Sequence, residues 1–330
     1  MAVSRHAFLT GCAAVAAAAG GVRKADAQAL IPIQVGYFPG ISALPLLTGV
    51  YVGMFASEGL AVDIEPAVTS NKLFSQLDDG IVHIAHTSID NAIACDLGLG
   101  PASVKSRDFV AFLGVDDGQL RLVARRGITR IAQLRGKTLA VDSLSMGFAF
   151  ALRAILDAEG LAEDEYRLVA QGGTQQRASG LVANKFDATL LTPPFDLSVR
   201  ARGCSTLAHV TDVLGPYQGI AVVARRAWLS ENGSAATRYM HAYREALAHA
   251  AADKTGSIPL LARALRVAPA VAAASYDAAL RHGGGFCRDG ALDLDGIRTV
   301  LRLRARYAPP GGGEDPAPYI EPAIITPQPA

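Results

Sequence analysis

Short β-type runs alternate with helical ones along most of this chain, and that alternation constrains its fold more than any other feature. Residues 33–37, 61–65, 83–86, 109–113 and 120–124 read as strands, and 138–141, 166–169, 188–191 and 220–224 continue the series. Amphipathic patterns lie between them, over 44–58, 71–79, 148–159 and 174–184. A strand, a polar loop and a helix, repeated, is what a largely parallel sheet covered by helices requires. Past Trp228 the pattern turns helical. One long helix is expected over 234–254, with Tyr239, Tyr243, Leu247 and Ala251 along one stripe. Helices over 258–265, 270–280 and 294–306 follow, and residues 309–330, rich in Pro and Gly, read as an extended tail.

A chain of 330 residues, half of them hydrophobic, has ample material for a core. Its net charge of +1 argues against nucleic acid and against a polybasic membrane surface. The first residues stand apart. Arg5 and His6 precede a small-apolar run, and Ala25-Asp26-Ala27 supplies a cleavage site, so residues 1–27 read as an export signal. Residues 4–9 resemble the twin-arginine motif, with His6 where the second arginine belongs. Leu9-Thr10-Gly11-Cys12 resembles a lipobox, but little apolar sequence precedes it, so lipidation at Cys12 is the minor alternative to cleavage. Cys95, Cys204 and Cys287 remain, without metal spacing, and buried free thiols are the expected state. No cofactor or metal motif is present in the sequence.

Two strand-to-helix junctions carry the functional signal. Residues 134–148 pass from a turn through a short strand into a Ser- and Gly-rich loop that opens a long helix. A helix start of this kind presents free N–H groups with the positive dipole end behind them. Residues 33–43 follow the same order. Two such junctions about a hundred residues apart point to two lobes facing one small ligand. Polar or Gly/Pro breaks at 115–118 and 213–219 mark the two crossings between lobes. Residues 28–116 and 221–308 then form lobe 1 and residues 117–220 form lobe 2.

The ordered set Val35-Gly-Tyr, Leu44-Pro-Leu-Leu, residues 53–62, residues 77–82, residues 131–138 and the segment from Arg177 to Phe186-Asp187-Ala188 resembles a known family. It is the periplasmic substrate-binding proteins of ABC importers, in the nitrate/sulfonate/taurine-type branch, which includes proteins similar to thiamine-pyrimidine precursor binders. The resemblance implies an α/β, two-lobed periplasmic-binding-protein fold (type II), each lobe a mixed sheet flanked by helices, with a double-crossover hinge. It implies a periplasmic monomer that captures a small molecule and delivers it to permease subunits. His83 stands where such proteins usually carry an Asp. It reads as a half-exposed strand residue, with a pH-sensitive contact as the sharper alternative.

Candidate ligand residues follow strand ends, where α/β folds bind ligands. Tyr37, Phe38, Pro39 and Ser42 come first, with ring packing and helix capping as their structural alternatives. His86, Thr87, Ser88, Asp90 and Asn91 form the second loop. Asp90 and Asn91 also suit helix capping, and an Asp90 facing the cleft favours a ligand amine or ring N–H over a bare anion. The other lobe offers Ser143, Ser145, Met146, Gly173, Thr174, Arg177 and Thr192. Arg177 either faces an anion or lies along the surface, and the surface reading is preferred. The expected ligand is a sulfonate, carboxylate or pyrimidine-like molecule. The rival function is an enzyme on the same fold, decarboxylase-like or a cofactor-pathway lyase, for which His86 near Asp90 is the best available pair. A receptor that feeds a sensor is the third reading.

Overall fold

The computed structural model describes residues 29–145, 147–281, 283–308 and 313–321. The segment expected to be an export signal, Cys12 and Met146 lie outside the described residues. Among the described residues ten strands form: β1 (Ile31–Tyr37), β2 (Leu60–Pro66), β3 (Ile84–Ser88), β4 (Phe109–Gly114), β5 (Arg121–Ala124), β6 (Thr138–Val141), β7 (Arg167–Ala170), β8 (Ala188–Leu191), β9 (Ser205–His209) and β10 (Ile220–Arg225).

They divide into two five-stranded sheets of matching plan, ordered β2-β1-β3-β10-β4 and β7-β6-β8-β5-β9. In the first, β1 runs parallel to β2 and β3, and β10 is antiparallel to β3 and β4. In the second, β6 runs parallel to β7 and β8, and β5 is antiparallel to β8 and β9. The fourth place in each sheet belongs to the strand that arrives directly after a crossing. Strands β3, β4, β5 and β8 are buried along their whole length, and β4 is accordingly apolar throughout.

The two crossings are tied to each other. Gly219 N donates to Asp116 O at 3.0 Å, and Gln218 Nε2 donates to the carbonyls of Asp116 and Ile220, each at 2.9 Å. Position 219 must be glycine because a Cβ there would lie 2.1 Å from Asp116 Oδ1.

The long helix Gly233–Ala252 lays its stripe against the first sheet: Tyr239, Tyr243 and Leu247 are buried, and Ala251 is half-buried at its edge. Tyr239 stacks on Phe55 with ring centroids 4.9 Å apart. Cys95, Cys204 and Cys287 are free thiols, the first and last of them buried. Among the described residues no single helix is long and apolar enough to cross a membrane.

The structure adds detail to the sequence reading, and in places departs from it. The helix expected over 44–58 breaks at Gly53, whose φ of 86° ends Leu44–Val52 and starts Met54–Ser57. Strand β9 was not expected; it is a half-buried edge strand without a β-branched run. Helix Leu294–Tyr307, expected within lobe 1, packs against both Ile89–Asp96 beside the first sheet and Phe148–Ala158 beside the second. The described part of the tail is not free. Ile320 bridges Ala111 on the outer edge of β4, Tyr319 is buried, and Arg226 holds Glu321 at 2.6 Å.

Candidate functional site

Strand ends from both sheets face a cavity of about 480 Å³, a size suited to a small organic molecule. Phe38, Pro39 and Ser42 enter it after β1, and His86, Ser88 and Asn91 from β3 and the helix that follows. Across from them stand Ser143 and Ser145 after β6, Gly173, Thr174 and Arg177 after β7, and Thr192 after β8. The two sides touch at their margins. Ile41 N donates to Pro193 O at 2.9 Å, and Gly147 N donates to Asp90 Oδ2 at 2.6 Å.

Three expected ligand residues are turned away. Tyr37 ends β1 and joins the core cluster that holds Ala43 and Leu46. Thr87 is fully buried, because strand alternation turns it from the face that presents His86 and Ser88, and its hydroxyl accepts from Asn91. Asp90 is clamped by Arg304: Nε donates to Oδ1 at 2.7 Å and Nη2 to Oδ2 at 2.6 Å. Burial pushes the Asp90 carboxyl upward, with Arg304 and the Gly147 amide opposing. This carboxylate therefore cannot serve a ligand, and the inference of an amine from Asp90 falls with it.

Other side chains reach the cavity in roles the sequence did not indicate. Arg177 is buried rather than on the surface. Its Nε donates to Thr189 Oγ1, its Nη1 to Gly172 O and its Nη2 to Leu190 O and Thr174 Oγ1. Ser42 caps nothing; its hydroxyl donates to Asp116 Oδ2 at 2.7 Å in the first crossing. His83 is half-buried beside β3, accepts Gln34 N on Nδ1 and stacks on Trp228, and it does not line the cavity.

His86 is neutral, since burial drives its pKa down to about 3. Its Nε2 lies 2.8 Å from Tyr239 Oη, and Nδ1 has no protein partner. The two groups share one hydrogen bond, and either tautomer leaves one buried hydrogen without a protein acceptor. Ser88 Oγ is likewise unpartnered.

Asp142, Ser70, Asn71 and Phe148 also line the cavity, and none was singled out as a ligand residue. Thr69-Ser70-Asn71 follows β2 as the other loops follow their strands, so the same signal marked it. Asn91 Nδ2 donates to Ser70 Oγ at 3.0 Å, which leaves Asn91 Oδ1 without a partner. Asp142 is half-exposed as a residue, yet its Oδ1 is enclosed and unpartnered. Burial pushes its carboxyl upward, against the pull of the Arg177 charge and the backbone amide of Ser143. Between Asn91 and Asp142 lies Gly147, with φ 58° and ψ −127°. A Cβ there would sit 3.0 Å from Asn91 Oδ1 and 3.3 Å from Asp142 Oδ2.

Residues 41–256 of the chain match the family model described as NMT1/THI5-like. The chain belongs to the NMT1/THI5-like family. No curated protein matches it in sequence. Solved structures resemble this NMT1/THI5-like chain in fold at low identity. The ligand-binding component of an ABC-type import system from Staphylococcus aureus has a TM-score of 0.73 at 14% identity, covering 89% of this chain and 98% of that one. The alkanesulfonate-binding protein SsuA from Xanthomonas axonopodis pv. citri gives 0.71 at 16%, covering 88% and 98%. The periplasmic nitrate-binding protein NrtA from Synechocystis PCC 6803 gives 0.72 at 13%, covering 85% and 83%. The NMT1/THI5-like chain thus has the two-lobed periplasmic-binding-protein fold.

Proposed function

We propose that the chain is an extracytoplasmic solute-binding protein that captures a small polar organic ligand between its lobes and delivers it to an ABC permease. The observation that carries this reading is the cavity itself, walled by strand-end loops from both sheets and holding unpartnered polar atoms on one wall and the other. Residues 28–116 and 221–308 act as one lobe and 117–220 as the other, hinged at the two crossings. The neighbours in fold support the role, since their names describe binding components of importers. The export signal at 1–27 supports a periplasmic site of action.

The enzymatic alternative loses its best pair. His86 is buried and bonded to Tyr239, and Asp90 is held by Arg304, so these two do not form an acid–base pair. Small-angle scattering with and without the ligand that copurifies tests the capture reading. The expected result is a smaller radius of gyration with ligand bound. Turnover of that ligand by the purified protein would replace capture with catalysis.

A further inference from the structure

We propose that helix Leu294–Tyr307 is a strap that biases the cleft toward closure before any ligand arrives, and that Phe150 is the ring it must release when the cleft opens. The proposal rests on the capture reading above and adds a control on it. Phe150, Arg304 and Tyr307 act as positioning residues, since none of them lines the cavity.

The strap holds both sides of the cleft. Its apolar residues Ile297, Val300 and Leu301 belong to the core cluster that also contains Ile89 and Ile93 beside the first sheet and Leu152 and Ile155 beside the second. Toward the first sheet it is anchored by the Arg304–Asp90 fork, a two-point charge-assisted bond between side chains almost wholly buried. Toward the second it grips helix Phe148–Ala158. The Arg304 guanidinium lies 5.1 Å from the Phe150 ring centroid, and Tyr307 stacks on the same ring at 6.4 Å with planes 11° apart. Positions 304 and 307 share a helix face, which is why one ring meets both. Arg304 Nη1 has no hydrogen-bond acceptor, and the Phe150 ring is the electron-rich group that the guanidinium lies over in its place. Arg306 adds an ion pair to Asp157.

These grips coexist with a cleft whose margins touch. Gly147, one residue before helix Phe148–Ala158, donates to the Asp90 carboxylate that Arg304 holds. Moving that helix away to open the cleft must break either the Asp90–Arg304 fork or the ring contacts. The fork is the stronger of the two, so the rings part, and Phe150, 2% exposed when closed, meets water. Opening therefore carries a cost in which no ligand contact takes part, and the free protein spends more of its time closed. Ligands of any chemistry bind more tightly for it, since apparent affinity scales with the closed fraction.

Amide hydrogen exchange of the mature, unliganded protein tests this. The Gly147 and Ile41 amides donate across the cleft, so their exchange reports opening, and the amides of β3, in the middle of the first sheet, report global unfolding. Phe150→Leu keeps an apolar side chain but removes both ring contacts, and should speed exchange at Gly147 and Ile41 about 5- to 50-fold. Tyr307→Leu removes the stack alone and should speed it less. Tyr307→Phe keeps the stack and loses a hydroxyl that has no partner, so it should match the parent. Unchanged rates in both leucine variants overturn the strap, and so does an equal acceleration in β3, which marks plain destabilisation. Tyr307→Phe opening as far as Tyr307→Leu overturns it too. Where Phe150→Leu fails to fold, Tyr307→Leu at its half-buried site decides. No ligand enters this measurement, so its failure leaves capture standing, whereas turnover of the copurifying ligand removes capture and leaves the strap in place.

Discussion

Asp116 sits buried in the first crossing, where Ser42 donates to one carboxylate oxygen and the amides of Gly118 and Gln119 to the other. Burial outweighs these bonds and lifts its pKa to about 6. A carboxyl whose pKa is higher in the folded than in the unfolded chain binds more protons when folded. Its contribution to stability is therefore full below about pH 4 and is lost as the pH rises through about 6, a loss of about 2–3 kcal/mol. Asp116→Asn should remove that loss, and urea unfolding at pH 4 and pH 7 will show a smaller difference than in the parent protein. Arg304 poses the opposite case. Arg304→Leu leaves Asp90 buried and unpaired and should destabilise by about 3–5 kcal/mol, whereas Asp90→Asn with Arg304→Leu should recover part of the loss. Neither partnership was legible in the sequence: the Asp90–Arg304 pair spans 214 residues and Ser42–Asp116 spans 74. Sequence patterns place residues at strand ends well. They do not tell which charged side chain has already found a partner elsewhere.

Among the elements, β4 was readable because burial on both faces leaves an unbroken apolar run, Phe109–Gly114, although it stands at a sheet edge that the tail covers. Strand β9, with the sequence Ser205-Thr-Leu-Ala-His209, carries no such run, since an edge strand needs only partial burial. The break at Gly53 had its signal in the glycine, but the amphipathic pattern ran through it. Gly53→Ala must place a Cβ at φ 86°, and about 1–2 kcal/mol of destabilisation is expected by chemical denaturation. Open space around that position leaves strain as the cause, with no steric clash added. The contact of the tail was not legible for a related reason: Pro and Gly content predicted extended backbone but not that Ile320 would bridge the edge of β4. Tyr319→Ala removes a buried ring from the core near β4 and helix Ile89–Asp96 and should cost about 3 kcal/mol. Faster hydrogen exchange along β4 is the accompanying signature.

Across the whole molecule, the lobes meet through three kinds of contact. Backbone donors cross the cleft at Ile41 and Gly147, the crossings are bonded to each other, and helix Leu294–Tyr307 lies against both halves. Opening the cleft must break the first kind while the second is kept. Gly147→Ala should therefore weaken the closed arrangement. It strains the backbone and crowds Asn91, and ligand affinity measured by calorimetry should drop at least tenfold. Two lobes with matching sheets were legible early, because the strand-to-helix order repeats. The chemistry of the cleft was not, because it depends on which oxygens are left over after folding.

The clamp at the base of the cleft also has a place in time. Arg304 follows Asp90 by 214 residues, so a growing chain carries the carboxylate before its counter-ion exists. The base of the cleft therefore cannot be finished until residue 304 has been added, whatever order the two sheets take.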